Sequence, residues 1–541
     1  MPVAVVLALI YGSAALAMML MAPKVPYADV WRFLGHFLQA GFPQDVVTPD
    51  NGHHELLPNV VRVLELRLLK GGQWLQTGCG IALLAGTLLV SGRSIRTLPQ
   101  PHLRSAAWLA VLMGLCWLGN ARALGHANET VHAYAVTLFL ICGITALSCR
   151  TGTTAGAWIA GMCGLGAAFS FGSGIAVFAA FFAVLLLRRS SWRSWCVLVA
   201  MTLLTAWLLH WTGGSASSLS IAPVAQGRDL LRWLAGPAIY GAWPALDPAV
   251  AAHVPGVLRG PVLEVAEAYQ RMAGPVMLAR WPHLLIGICG LAWWVAMAVR
   301  TWANPARTGL LGVGMSTFAL CVGLLIVVVR HTYFQTYPEQ LLATRYVVWS
   351  SLFWSGLLLA TVAHARRGKR ELIAVCCLGI ALLPSQVWMW QLSSSLRQVA
   401  GQTALAATIG VVDAEMNLGE NVPLEIQRAV PLLRDAHSEM FAWPEAEELG
   451  APLKAADTGV VAAEGIEVHV INNRLGAPAR RITFKARSSS RRLLLVDADG
   501  IVRGLAERQV SAAPDHWIGW MEGGTERPSP SVYALTARQP H

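Results

Sequence analysis

Charge is what this sequence has least of. Asp, Glu, Lys and Arg make up 13% of its 541 residues, about half of the roughly 25% carried by a soluble globular domain. That scarcity excludes an ordinary water-soluble fold for most of the chain. No cysteine follows Cys377, and the ten present fall in or beside apolar runs. A disulfide framework for a C-terminal domain is thereby excluded. The adjacent Cys376 and Cys377 read as small apolar packing residues rather than a metal or redox pair. The first apolar run, 3–21, lacks the basic segment of a secretory leader and exceeds its usual core, so it reads as an uncleaved span. Internal repeats are also missing, and the apolar runs hold almost no charge. Both absences argue against a transporter or flippase built from two related halves around a midplane site.

What is present is apolar length. Hydrophobic residues reach 55% and the mean hydropathy is +0.50. The apolar runs are 3–21, 73–91, 105–119, 130–148, 154–171, 174–187, 194–211, 283–299, 308–329, 346–363 and 372–391, against the about 20 residues of helix that cross a bilayer. The expected fold is mainly α: a polytopic transmembrane helical protein of about eleven spans. Phe171-Gly172-Ser173-Gly174 reads as a tight turn between two of them. Were 154–187 one kinked helix, every later span would change sides.

Charge placement decides between these readings. With the N-terminus inside, the inside loops hold Arg93, Arg96 and Arg104; Arg150; Arg188, Arg189 and Arg193; Arg300 and Arg307; and Arg366, Arg367, Lys369 and Arg370. Glu371 is the one acid among them, so the positive-inside rule is obeyed in each. The formal charge of +11 therefore reads as a topology signal, and no nucleic-acid partner is expected.

This orientation makes 1–391 a transmembrane module with extracytoplasmic loops 23–71, 212–282 and 330–345. Residues 392–541 form a soluble helix-plus-β domain on the same side. Amphipathic stretches at 30–38 and 56–69 predict helices lying at the membrane interface. A helical pattern at 423–441 precedes alternating runs at 467–471, 481–485 and 492–497. Asp499-Gly500 then signals a turn before Ile501-Val502-Arg503, and together these predict a sandwich-like sheet.

Polar residues at the outer boundary are the candidates for chemistry. Asp29 follows the first span directly, where a carboxylate is costly unless water or a partner reaches it; a solvated loop acid is the plainer reading. Asp50-Asn51-Gly52-His53-His54-Glu55 offers imidazole and carboxylate groups that suit a divalent cation. It fits no closed zinc spacing, however, and recognition of a sugar or phosphate by hydrogen bonds suits it better. Asn120, Arg122, His126, Asn128, Glu129 and His132 share one short loop, with Glu129 and His132 on one helical face; ordinary loop solvation is the plainer reading. Arg330 and Arg345, the latter followed by Tyr346, flank the late loop. A guanidinium there suits bidentate contact with phosphate, and snorkelling to the interface is the alternative. An acid in one loop and a cation in another suit glycosyl transfer from a lipid phosphate, the acid taking a proton and the cation receiving the departing phosphate.

Several short motifs resemble the GT-C superfamily of integral membrane glycosyltransferases, and more closely a group of poorly characterised bacterial members. They are Ala28-Asp29-Val30-Trp31, His53-His54-Glu55-Leu56-Leu57-Pro58, Phe169-Ser170-Phe171-Gly172-Ser173-Gly174 and Arg345-Tyr346. In the tail they are Leu494-Val496-Asp497 and Gly500-Val502-Arg503-Gly504. Two positions depart from the family pattern: Asp29 stands without a second acid beside it, and His54 stands where many relatives carry arginine. The resemblance implies Asp29 as catalytic base, with His53, His54, Glu55, Glu129, Arg330, Arg345 and Tyr346 in the substrate site. It implies a polyprenyl-phosphate sugar donor, inverting transfer, and a cell-envelope glycan, lipid or protein acceptor. The setting would be a bacterial inner membrane with the C-terminal domain periplasmic. Metal dependence varies within the superfamily, so a divalent cation stays an open cofactor. A lipid-linked glycan polymerase or ligase is the nearest rival, but such proteins place their large loop between late spans, and 330–345 is short.

Overall fold

The chain is described in a computed structural model over residues 1–50, 53–149, 154–213, 220–243, 245–251, 256–273, 281–366, 368–413, 415–416, 422–454, 458–474, 478–509, 515–523 and 529–535. Asn51, Gly52, Arg150, Arg367 and most of the 213–220 stretch lie outside the described residues. The protein is mainly helical and a multi-pass membrane protein. Nine of its described helices are long and apolar enough to cross a bilayer, and the shorter Thr154–Ala168 and Gly172–Leu187 account for the two remaining runs. The break between those two falls where the sequence predicts it. Gly174 N–H donates to Phe171 O at 2.8 Å, and a Cβ on Gly174 would stand 1.8 Å from Ala167 O. A close backbone approach of this kind admits only glycine.

Pro101–Leu124, Ala127–Cys149, Arg307–Val329 and Thr344–Ala363 are buried over most of their length. Trp192–Trp211 and Trp281–Ala303 are instead 22% buried and expose Leu203, Trp207, Leu285 and Val299, a surface suited to lipid chains. Between helices in lipid, close packing and hydrogen bonds do the holding. Gly312 and Gly356 supply the first: a Cβ on Gly312 would lie 2.5 Å from Gly356 O. Ser316 supplies the second, its Oγ donating to Phe353 O at 2.8 Å. These contacts fix Arg307–Val329 against Thr344–Ala363, and so set the ends that carry Arg330 and Arg345.

The chain divides into two compact units. The first comprises Met1–Ala22, Val47–Asn59 and Gln76–Ser393; the second comprises Pro23–Val46, Val60–Leu75 and Ser394–His541. Along the chain, the division between Ser393 and Ser394 falls within the helix Leu383–Thr408. In the second unit, Val30–Gln39 buries Val30, Trp31, Phe33, Leu34 and Phe37 in a cluster with Ile426, Ala429, Val430 and Leu433 of Val422–Asp435. The expectation that this helix lies at the membrane interface is corrected: protein covers its apolar face. Five such side chains contribute on the order of 10 kcal/mol before entropy is charged against them. The other amphipathic stretch is helical at Leu56–Leu69. It exposes Leu57, Val60, Leu64 and Leu68, a row at helical spacing.

The C-terminal strands are Thr458–Val460 (β1), Ala463–Ile471 (β2), Ala479–Ala486 (β3), Arg492–Val496 (β4), Val502–Arg508 (β5), His516–Glu522 (β6) and Ser531–Leu535 (β7). They form one sheet in the order β1-β7-β4-β5-β6-β3-β2, with every pairing antiparallel. The sandwich expectation is therefore corrected to a single sheet. Its two edges, β1 and β2, are consecutive in the chain with only Val461 and Ala462 between them, so the sheet rolls to bring its edges together. The roll encloses Ile482, Phe484, Leu493, Leu495, Trp517 and Met521. The opposite face packs Leu494, Leu505 and Trp520 against Leu405, Ala406 and Ile409 at the end of Leu383–Thr408. One curved sheet with a helix on its outside thus buries both faces that a sandwich would bury with two sheets.

Glu507 on β5 faces that helix, and a Cβ on Gly401 would come 3.0 Å from its Oε1. Burial pushes the Glu507 carboxyl up to about 7, against the pull of Arg492 and Arg491. A raised folded-state value means this group stabilises the fold fully below its ordinary value near 4.5. That contribution is lost as pH rises through about 7. Glu507→Gln should flatten this part of the stability profile and raise the unfolding temperature at pH 8, read by Trp517 and Trp520 fluorescence.

Candidate functional site

The helix ends that the charge pattern assigns to one side meet in the first unit. The first loop reaches two of them: Leu57 N–H donates to Phe169 O at 3.1 Å, and His54 Nδ1 lies 3.2 Å from Thr212 Oγ1. Phe171 stacks toward Trp349 with ring centroids 6.4 Å apart. Tyr240 OH donates to Leu342 O at 2.8 Å. Trp117 Nε1 donates to Ser385 Oγ at 2.9 Å. The Phe171 turn therefore belongs with the starts and ends of other spans, not with the middle of one kinked helix.

His53 and His54 point apart, as adjacent residues of an extended segment do. His54 goes to Thr212 and to the edge of Phe169. His53 lies on Phe171, centroids 4.9 Å apart, and so close to Gly172 that a Cβ there would stand 2.2 Å from its Nδ1. Burial holds the His53 imidazole below its ordinary value; Glu55 opposes that shift, while Arg330 and His132 add to it. The other face of the cluster is His132, stacked on Phe171 at 5.1 Å, with its Nε2 3.2 Å from Glu55 Oε2. Both side chains of that pair are buried. The expectation of a solvated 120–132 loop is thereby corrected, since Asn120, His126, Asn128 and His132 are all buried. Among the described residues no group of three His, Cys, Asp or Glu side chains could hold a metal ion.

A second constellation surrounds Arg345. Arg122, Tyr240, Glu339, Gln340, Thr344 and Arg345 line a cavity of about 380 Å³. Arg345 is braced by Gln340 Oε1 at 3.2 Å and lies over the Tyr346 ring at 5.0 Å, while its buried Nε has no hydrogen-bond partner among the described residues. Thr344 and Arg345 open the 20-residue helix Thr344–Ala363, so the positive end of a helix dipole faces the same space. Arg122 is held through Nη2 by Glu129 Oε1 at 3.4 Å. Glu129 thus acts on the cavity through Arg122. The sequence groups Arg122 with the 120–132 loop but does not assign it to the substrate site; its signal was a basic group at a span end on the side where acids predominate.

An apolar cavity of about 310 Å³ shares Gly236–Ala242 and Thr344–Ala363 with the polar one. Its lining includes Gly114, Trp117, Ala238, Ser351, Ser355 and Leu358. Thr344, Ser351, Ser355 and Leu358 follow a spacing of 7, 11 and 14 residues, which places them on one stripe of Thr344–Ala363. At 1.5 Å per residue the stripe extends about 10 to 21 Å below Thr344.

Asp29 lies in the second unit, whereas His53, His54, Glu55, Glu129, Arg330, Arg345 and Tyr346 lie in the first. It directly precedes Val30–Gln39 and follows Ala28, whose φ is +51°. A left-handed alanine costs on the order of 1 kcal/mol, a kind of strain that clusters at functional positions. The Asp29 carboxylate is half exposed and lies 3.2 Å from Arg32 Nη1, which in turn is 3.8 Å from Glu425.

No family model and no curated protein matches the chain. Among solved structures, ArnT from Cupriavidus metallidurans in the apo state has a TM-score of 0.39 and 13% identity, over 87% of this chain and 96% of that one. The same protein bound to undecaprenyl phosphate has a TM-score of 0.38 and 13% identity, over 90% and 98%. At those scores the likeness carries no weight for chemistry.

Proposed function

We propose that this chain is a membrane glycosyltransferase that moves a sugar from a polyprenyl-phosphate donor to a cell-envelope glycan, lipid or protein acceptor. Its setting is the periplasmic face of a bacterial inner membrane. The observation that carries this reading is the pair of cavities along Thr344–Ala363: a polar chamber with two guanidiniums at the helix start, and an apolar one below it on the Thr344 stripe. An amphiphile with an anionic head and a hydrocarbon tail fits that order. The motif resemblance to the GT-C superfamily points the same way. In the transfer, an acceptor oxygen attacks the anomeric carbon from the face opposite the phosphate and its proton passes to a base, assigned to Asp29. The carbon–oxygen bond to phosphate breaks with its electron pair going to phosphate, where Arg345 meets the added negative charge.

Deleting the gene should remove or truncate one envelope glycan, and purified protein should release polyprenyl phosphate from the matching sugar donor. Glycan profiles identical to the parent strain would overturn the reading.

A further inference from the structure

The polar cavity contains a cation that the motifs do not point to. Arg122 sits in the short helix Ala121–Leu124, directly after the turn Leu118–Asn120. That turn is locked from several directions. Leu118 N–H donates to Gln386 Oε1 at 2.6 Å, Asn120 Nδ2 donates to Gly114 O at 2.8 Å, and Trp117 is tied to Ser385. Glu129 then fixes the guanidinium itself. A long, flexible side chain is thus given one orientation before any ligand arrives, which lowers the entropy lost on binding.

Arg122 lines the cavity together with Arg345 and the first residue of Thr344–Ala363. Two planar guanidiniums and a helix start match the several oxygens of a phosphate, which each guanidinium can meet with paired N–H groups. Glu339 on the same wall opposes an anion, but it is exposed and water screens it.

We infer that Arg122 is a second ligand for the lipid phosphate and that Glu129 is its positioning residue. This inference rests on the lipid-phosphate reading of the cavity, and binding can separate the two. Full-length protein in nanodiscs is titrated with undecaprenyl phosphate, with undecaprenol and with inorganic phosphate. The parent protein prefers undecaprenyl phosphate to undecaprenol; Arg122→Gln weakens the phosphate form about tenfold or more and leaves undecaprenol unchanged. Arg122→Lys restores part of the loss, because charge returns without the planar fork. Glu129→Gln weakens the phosphate form by a smaller factor and leaves an intact thermal transition. If the parent protein binds both lipids equally, the lipid-phosphate reading itself fails. If it prefers the phosphate form and Arg122→Gln keeps that preference in full, only the Arg122 assignment fails. Equal competition by millimolar inorganic phosphate in parent and Arg122→Gln proteins would likewise remove Arg122 from the site.

Discussion

Arg345→Ala is expected to lower kcat for sugar transfer roughly 10²–10³-fold, the usual consequence of removing one preorganised donor to developing charge. Negative charge on the phosphate increases as its bond to the sugar breaks, so a guanidinium beside it binds the transition state more tightly than the ground state. Arg345 is set up for this before substrate arrives, with Gln340 on one side and the Tyr346 ring beneath it. Arg345→Lys should recover only part of the rate, since an ammonium keeps the charge but neither the fork nor the stacking. Initial rates with purified protein and a polyprenyl-phosphate sugar give the answer. A residue that merely snorkels to the membrane surface would leave kcat near the parent value in both variants.

Asp29→Asn should reduce kcat by about 10²–10⁴-fold with little change in KM, the range supplied by a well-placed general base. The substitution is a clean one. Asparagine is close to isosteric with aspartate and is as well tolerated as aspartate ahead of a helix, so Val30–Gln39 should keep its start and its packing on Val422–Asp435. An unchanged thermal transition would show that lost activity is chemical. Turnover equal to the parent would remove Asp29 from the mechanism and leave its ion pair with Arg32 as a structural feature of the second unit.

How far the sequence could be read depended on whether each signal was local. Span length and basic loops are local, and they located the apolar helices together with the turn at Gly174. The amphipathicity of 30–38 was also local, but its partner, Val422–Asp435, comes near the other end of the chain, so periodicity revealed a face without saying what covers it. Strand β6 escaped notice because Trp517, Ile518, Trp520 and Met521 are buried on both sides of the sheet, which erases alternation. Pro223–Leu234 opens with a proline in its first turn, a helix-start signal that was lost amid the small and Trp-rich residues around it. In the candidate site, Arg345 stood out as a cation at the start of a span. Arg122 and His132 read as loop residues, because what holds them is distant in sequence: Ser385 and Gln386 tie down the turn before Arg122, and Glu55 meets His132.

The union of Val30–Gln39 with Val422–Asp435 also sets a timetable for biosynthesis. Residue 422 follows residue 39 by 383 positions. At about 5–20 residues per second, the first helix waits roughly 20–80 s between its own emergence and that of its cover. Throughout that interval Trp31, Phe33 and Phe37 lack the helix that finally covers them. The second unit therefore cannot complete this packing until Val422–Asp435 has been made, and until then that apolar face is a point at which the newborn chain can aggregate.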